Sequence, residues 1–374
     1  MTEFHTLYGS PMSLYTGRAR SYLIKAGIPY RELPHATPHF YEHVLPRAGG
    51  RRGIPTLELA SGEVIRDGVA IVDHFERAHG QQFSPPTPRQ HIVSLLFDAI
   101  AAEGLLRPCM HYRWNFDRDN DAALRFHFAT IYMDHDDPQR MASERMALIR
   151  TQVNPAWGVV PETHALIEDM HHRLLRLLDA HFVAQPYLLG GKPSLGDFGL
   201  MAPLYGHLGR DPAPMALMQR LAPRVFRWVE RMNRQGPDAG EYGASAPDYL
   251  EGDRIPATLI EVLRHLSLDY VPETLAAARY INAWLGAQEN LAAGTEAVRG
   301  VGMCEFEVEG VSIRALAQPF RFFVLARVQK AFDNLSAQDK ESVKEVLVAC
   351  GLEPILTCRL DREMGRRDNL EVWL

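Results

Sequence analysis

A proline standing directly ahead of a strand-like run constrains this chain more than any other residue. Gly53-Ile54-Pro55-Thr56 leads into Thr56-Leu57-Glu58-Leu59. Pro55 contributes no ladder donor and holds Ile54 extended. In a tight turn of this kind the cis isomer is accessible. Upstream, Phe4-His5-Thr6-Leu7-Tyr8 reads as a strand that stops at Gly9-Ser10-Pro11. Residues 15–26 carry Ala19, Tyr22, Leu23 and Ala26 at the spacing of a buried helix face. Gly27 closes that helix, and Ile28-Pro29-Tyr30 starts a second extended segment. The predicted order is strand, helix, strand, proline turn, strand.

Four motifs in this order and spacing closely resemble the N-terminal domain of glutathione transferases. They are Leu7-Tyr8-Gly9-Ser10-Pro11-Met12-Ser13, Lys25-Ala26-Gly27-Ile28-Pro29-Tyr30, Ile54-Pro55-Thr56-Leu57, and Val64-Ile65-Arg66-Asp67-Gly68-Val69-Ala70-Ile71. The resemblance resumes at Tyr187-Leu188-Leu189-Gly190-Gly191-Lys192-Pro193-Ser194-Leu195-Gly196-Asp197-Phe198, a capping element of the family's helical domain. It implies a thioredoxin-like α/β domain over residues 1–80, with Pro55 cis, and an all-α domain over 89–235. Residues 256–374 do not match the family and are expected to form a small α+β extension.

Composition narrows the setting. At 374 residues two or three domains are the prior, and 46% hydrophobic with 23% charged residues describes an ordinary globular protein. A net charge of −6 gives no reason to expect nucleic acid or an anionic membrane as partner. Cys109, Cys304, Cys350 and Cys358 show no C-x-x-C and no metal spacing, which reads as reduced thiols in the cytoplasm. Met1-Thr2-Glu3-Phe4 lacks the basic and apolar regions of a leader, and no apolar run is long enough to span a bilayer. His35, His39 and His43 are four apart, but Pro38 interrupts them, and Asp134-His135-Asp136-Asp137 ends at Pro138. Neither set reads as a metal site.

Further along, Pro85-Pro86-Thr87-Pro88 excludes a helix and marks the first boundary. Ile92, Leu95, Leu96, Ala99 and Ile100 form one helical face, and Leu166, Met170, Leu174, Leu177 and Leu178 form another. Ser194-Leu195-Gly196-Asp197 is a capping box with Asp at the third position. In the extension, two helices are expected near 257–268 and 272–285. A hairpin should follow about Glu309-Gly310, then helices near 319–334 and 336–350, with alternating runs at 355–360 and 370–373.

Chemistry on glutathione is mainly thiolate generation. A free thiol has a pKa of about 8.5, so little is nucleophilic at neutral pH. Lowering it by roughly two units takes about 2.7 kcal/mol, the size of one charge-assisted hydrogen bond. The hydroxyl that donates it belongs in the loop entering the first helix, where Ser10, Ser13, Tyr15 and Thr16 are available. The resemblance to serine-type members places Ser13 at the catalytic position, with Tyr15 and Ser10 as alternatives and N-capping as the plain structural role of Ser13. It further implies that main-chain groups of Ile54, presented by Pro55, bind the tripeptide backbone. Asp67-Gly68 stands where the family has an acidic–serine pair for the γ-glutamyl end. Asp67 supplies the carboxylate for the α-amino group, and the serine hydroxyl is missing. Arg51 and Arg52 are near enough in sequence to meet the glycyl carboxylate. Tyr112, Arg113 and Trp114 are candidates to line the acceptor pocket, or else core. The implied function is attack of activated glutathione on a small apolar electrophile, by conjugation, ether cleavage, dehalogenation or isomerisation, in a homodimer. The alternative is a non-catalytic binding protein on the same scaffold.

Overall fold

Four short strands build one mixed sheet in the order β2-β1-β3-β4. In the computed structural model, which describes residues 4–243 and 247–374, they are β1 (His5–Tyr8), β2 (Tyr30–Leu33), β3 (Thr56–Glu58) and β4 (Val64–Arg66). Residues 1–3, part of the leader reading, and 244–246 lie outside the described residues. β1 and β2 are parallel, which requires a crossover, and α1 (Leu14–Lys25) supplies it. β3 runs antiparallel to both β1 and β4. The register sets Leu7, Leu57 and Ile65 in one row, and they join α1 residues Ala19, Tyr22 and Leu23 in a single apolar cluster. Ile71, Val72 and Phe75 of α2 (Gly68–Ala78) complete that layer. Strand alternation sends Tyr8 and Val64 to the other face, where Phe40, Val44 and Ala48 cover them. The Ile54–Pro55 peptide is cis, as the resemblance implies.

The helical region follows the proline-rich connector. It comprises α3 (Pro88–Glu103), α4 (Leu106–Trp114), α5 (Asp117–Ile131), α6 (Pro138–Leu148), a single turn α7 (Asn154–Ala156) and α8 (His164–His181). Then come α9 (Leu195–Gly206), α10 (Pro212–Leu221) and α11 (Pro223–Met232). α9 is buried almost throughout and packs against both α1 and α3. A Cβ on Gly206 would meet the Leu14 Cα at 2.6 Å, so only glycine lets α9 approach the start of α1 this closely. Arg18 to Asp98 (3.1 Å) and Lys25 to the Tyr187 hydroxyl (3.1 Å) tie the two domains together.

The extension contains α12 (Ala257–Gly286), β5 (Met303–Val308), β6 (Val311–Leu316), α13 (Pro319–Asp333), α14 (Ala337–Cys350), β7 (Met364–Arg367) and β8 (Leu370–Trp373). Two expectations are corrected. The helix does not break near Pro272 but runs 30 residues through it. Leu268, whose carbonyl loses the Pro272 donor, is exposed, while the flanking Leu266, Tyr270 and Ala276 are buried and hold the helix in place. The alternating run at 355–360 does not form a strand, and 370–373 pairs with 364–367. Ile355 and Leu356 are instead core residues of a short 3-10 turn, and Asp368 and Asn369, both at positive φ, make the two-residue turn that closes β7 on β8. The hairpin about Glu309-Gly310 and the Ser336-capped helix form as expected. No helix among the described residues is long and apolar enough to cross a membrane.

Candidate functional site

Two helix N-termini meet beside the proline turn. Ser13 precedes α1 in an extended conformation, and its Oγ accepts the Thr16 N–H at 3.3 Å. Accepting that bond uses a lone pair and leaves the hydroxyl proton free to donate. Ser13 is therefore the N-cap, and capping and donation to a ligand are compatible. At the second N-terminus, Gly68 opens α2. A Cβ there would sit 3.1 Å from the Tyr15 carbonyl oxygen and 3.7 Å from Pro55 Cγ. The serine hydroxyl of the family pattern is absent, and a Cβ at 68 would stand in tight contact with the α1 backbone. Nothing among the described residues hydrogen-bonds the main-chain N–H or C=O of Ile54.

Asp67 caps α2 through Oδ1, which accepts the Val69 N–H at 3.2 Å. Its Oδ2 accepts from Arg366 of β7 at 2.8 Å. Burial works against the charged form, but the Arg366, Arg66 and Arg18 guanidiniums together outweigh it, so the Asp67 carboxyl lies below its ordinary range. The β7–β8 hairpin is anchored along β4. Asn369 binds the Arg66 N–H (3.1 Å) and the Val64 carbonyl (2.8 Å), and Glu371 takes Arg66 in two bonds of 2.8 and 2.7 Å. Arg51 reaches Glu371 and Glu296, each at 3.4 Å, and Arg52 lies over the Tyr41 ring.

The structure thus brings Ser13, Tyr15, Ile54, Pro55, Asp67 and Gly68 to one locus. Ser10 sits further inside the β1–α1 loop, 2% exposed, with its carbonyl held by Arg20 at 2.9 Å. Arg113 donates to the Gly206 carbonyl at 3.0 Å, and Gly206 abuts Leu14, the residue after Ser13. Tyr112, Arg113 and Trp114 are all buried; Arg113 is paired with Asp211 at 2.6 Å, and the Tyr112 hydroxyl contacts His172. Their burial and pairing are those of core residues, and both roles that the sequence leaves open remain.

Pattern reading missed Glu103 at the end of α3. Its Oε2 is buried with no hydrogen-bond partner. Arg107 pairs with Asp269 and Glu273, and Arg321 pairs with Glu273, so two cations already balance two anions nearby. Glu103 is the unmatched carboxyl. Burial pushes it up to about 7, with Arg321, Arg299 and Arg18 opposing and Glu273 adding. The Tyr15 phenol shares this environment: burial raises its pKa, Glu103 adds, and Arg299 opposes. In an unfolded chain the Glu103 carboxyl would titrate near roughly 4.3, so the native state holds the extra proton between that value and about 7. The resulting stabilisation is complete at low pH and is lost as pH rises through about 7. Glu103→Gln is expected to leave stability unchanged near pH 4. At pH 8 it should add roughly 2–3 kcal/mol, measured by urea unfolding at both pH values.

A cis-proline sheet carrying two helices on one face, joined to a helical domain, defines a two-domain thioredoxin-like class. The model of the glutathione S-transferase N-terminal domain matches residues 7–83, and that of the C-terminal domain matches residues 162–236. Over these two stretches the chain matches the glutathione S-transferase family, and neither model reaches residues 237–374. Among solved structures it is similar to glutathione transferase GSTFuA3 from Phanerochaete chrysosporium (15% identity, 62% of this chain and 97% of that one, TM-score 0.43). It is also similar to the β-etherase LigF from Sphingobium sp. strain SYK-6 (16%, 65% and 98%, TM-score 0.41). A third is CsGST63524 of Ceriporiopsis subvermispora in complex with glutathione (17%, 66% and 99%, TM-score 0.40). No curated protein sequence matches the chain.

Proposed function

We propose that this protein binds glutathione at the junction of α1, α2 and the Pro55 turn and activates its thiol for attack on a small apolar electrophile. The observation that carries this reading is the convergence there of unpaired Ile54 main-chain groups, an N-cap hydroxyl and a helix N-terminus. Ile54 offers one donor and one acceptor, which is what an extended peptide backbone needs for pairing. Ser13, at the N-terminus of a 12-residue helix, donates to sulfur while the helix dipole favours the thiolate. The proton leaves to solvent, and the thiolate attacks the electrophilic carbon of the acceptor, forming a C–S bond as the leaving group departs with its electron pair (chloride in the case of 1-chloro-2,4-dinitrobenzene).

Ser13→Ala is expected to lower kcat/KM with 1-chloro-2,4-dinitrobenzene about a hundredfold, the equivalent of the lost hydrogen bond. Unchanged turnover would remove Ser13 from the mechanism and bring forward the Tyr15 phenol. The second reading, a non-catalytic binding protein, is favoured by one observation: Asp67 is already paired with Arg366. Calorimetric titration with reduced glutathione separates the two at the first step, because absence of heat abolishes the thiol chemistry.

The same reading places the protein in the cytoplasm, in keeping with four unpaired, buried cysteines. It includes a homodimer. Arg327 of α13 bridges Asp73 of α2 and Asp98 of α3 at 2.6 and 2.7 Å, and β7–β8 lies on β4, so the dimer would use faces that the extension leaves open. Light scattering across concentrations that finds only monomer rejects it.

A further inference from the structure

The γ-glutamyl end of a bound tripeptide would bring an α-ammonium to Asp67, and the chain has placed its own cation there. Both Asp67 oxygens have partners, Oδ1 the Val69 N–H and Oδ2 the Arg366 guanidinium. Arg366 is not a loose surface side chain. It also donates to the Arg66 carbonyl at 3.1 Å and to Glu371 at 2.6 Å, and its guanidinium lies 5.1 Å from the centre of the Phe323 ring. The turn residue Asn369, bonded to both ends of β4, holds the hairpin that presents it. A guanidinium fastened at four points loses little entropy in keeping this position, whereas an incoming ammonium must share one carboxylate with a fixed like charge.

We propose that Arg366 is a specificity-determining residue that occupies the ammonium subsite on Asp67. By this contact the extension makes the site discriminate against thiol peptides bearing an α-ammonium and favour those without one. This inference rests on the glutathione-site reading given above. It also assigns a role to the hairpin, which the two family domains leave unexplained.

The test is calorimetric titration of the full chain and of its Arg366→Ala and Arg366→Lys variants with two ligands. These are glutathione and its des-amino analogue, glutaryl-cysteinylglycine, which lacks only the α-ammonium. Arg366→Ala is expected to bind glutathione roughly ten- to a hundredfold more tightly, the worth of one charge-assisted hydrogen bond to Asp67. Affinity for the des-amino analogue should change by less than about threefold, far below that gain. Arg366→Lys keeps the competing charge and should keep the wild-type ratio of the two affinities. The analogue is an internal reference for an intact site, so a loosened hairpin alone would move both ligands together. Equal changes for both ligands, or none, overturn the inference and leave the glutathione reading standing. Failure of both ligands to bind all three folded proteins overturns both.

Discussion

Asp197→Ala is expected to destabilise the protein by about 4 kcal/mol, the upper range for a single substitution. The carboxylate at the start of α9 is fully buried and accepts four hydrogen bonds. The donors are the Ser194 N–H (2.8 Å) and hydroxyl (2.9 Å), the Leu188 N–H (3.1 Å) and the Trp228 indole N–H (3.0 Å). Each buried donor left unsatisfied costs about 1–3 kcal/mol, and water entering the vacated space recovers part of the sum. Asp197→Asn keeps one acceptor oxygen and is expected to lose about half as much. Urea unfolding of the three proteins reads both values, and a loss under about 1 kcal/mol for alanine would show that the network relaxes without it. The consequence reaches the site, because α9 ends at Gly206 against Leu14, the residue after Ser13. Activity of folded Asp197→Asn should therefore fall at temperatures below its unfolding transition.

Glu273→Ala is expected to cost a comparable amount, about 4 kcal/mol, for a different reason. Glu273 of α12 binds Arg107 at 2.9 Å and Arg321 at 2.7 Å, all three being at most 4% exposed. Its removal leaves two buried guanidiniums with Asp269 as the remaining close carboxylate. Breaking a buried pair is costly because the surviving charge stays desolvated. Arg321 also donates to the Glu103 carbonyl at 3.0 Å, so the variant loosens α13 from α3. The same variant should lower the Glu103 carboxyl from about 7, since the excess positive charge then favours its ionised form. The pH slope of stability between roughly pH 5 and 7 should flatten accordingly, and a slope equal to wild type would place the Glu103 proton outside this network.

Much of the fold was legible in local pattern because its signals are local. The Pro55 turn, the Ser13 cap and the Glu309-Gly310 hairpin each depend on a few neighbouring residues whose backbone preferences agree with the structure. Continuity of α12 was not legible, because packing of residues on both sides of Pro272 overrides a proline that alone would end a helix. The β7 strand has a usable signal in Asp368-Asn369, a pair suited to positive φ, but that pair lies just outside the alternating run at 370–373.

The candidate site divides along the same line. Ser13 and Tyr15 could be chosen from sequence as hydroxyls of the loop entering the first helix, and Ile54, Pro55 and Asp67 through the resemblance to the glutathione transferase N-terminal domain. Tyr112, Arg113 and Trp114 could not be assigned, because an aromatic–basic run serves a pocket and a core equally well, and only the structure shows Asp211 beside Arg113. Arg366 and Glu103 were invisible for a deeper reason. The Asp67–Arg366 contact joins residues 299 positions apart, and the state of Glu103 depends on burial and on charges from α1, α12, α13 and Arg299. By itself the sequence pointed, through its resemblance to a glutathione transferase N-terminal domain, to the cis-proline thioredoxin-like frame, and its short-range backbone preferences placed the turns and caps that display the chemical groups. Tertiary structure alone decided which groups are already satisfied by the chain itself, because burial and ion pairing are set by distant segments meeting in space.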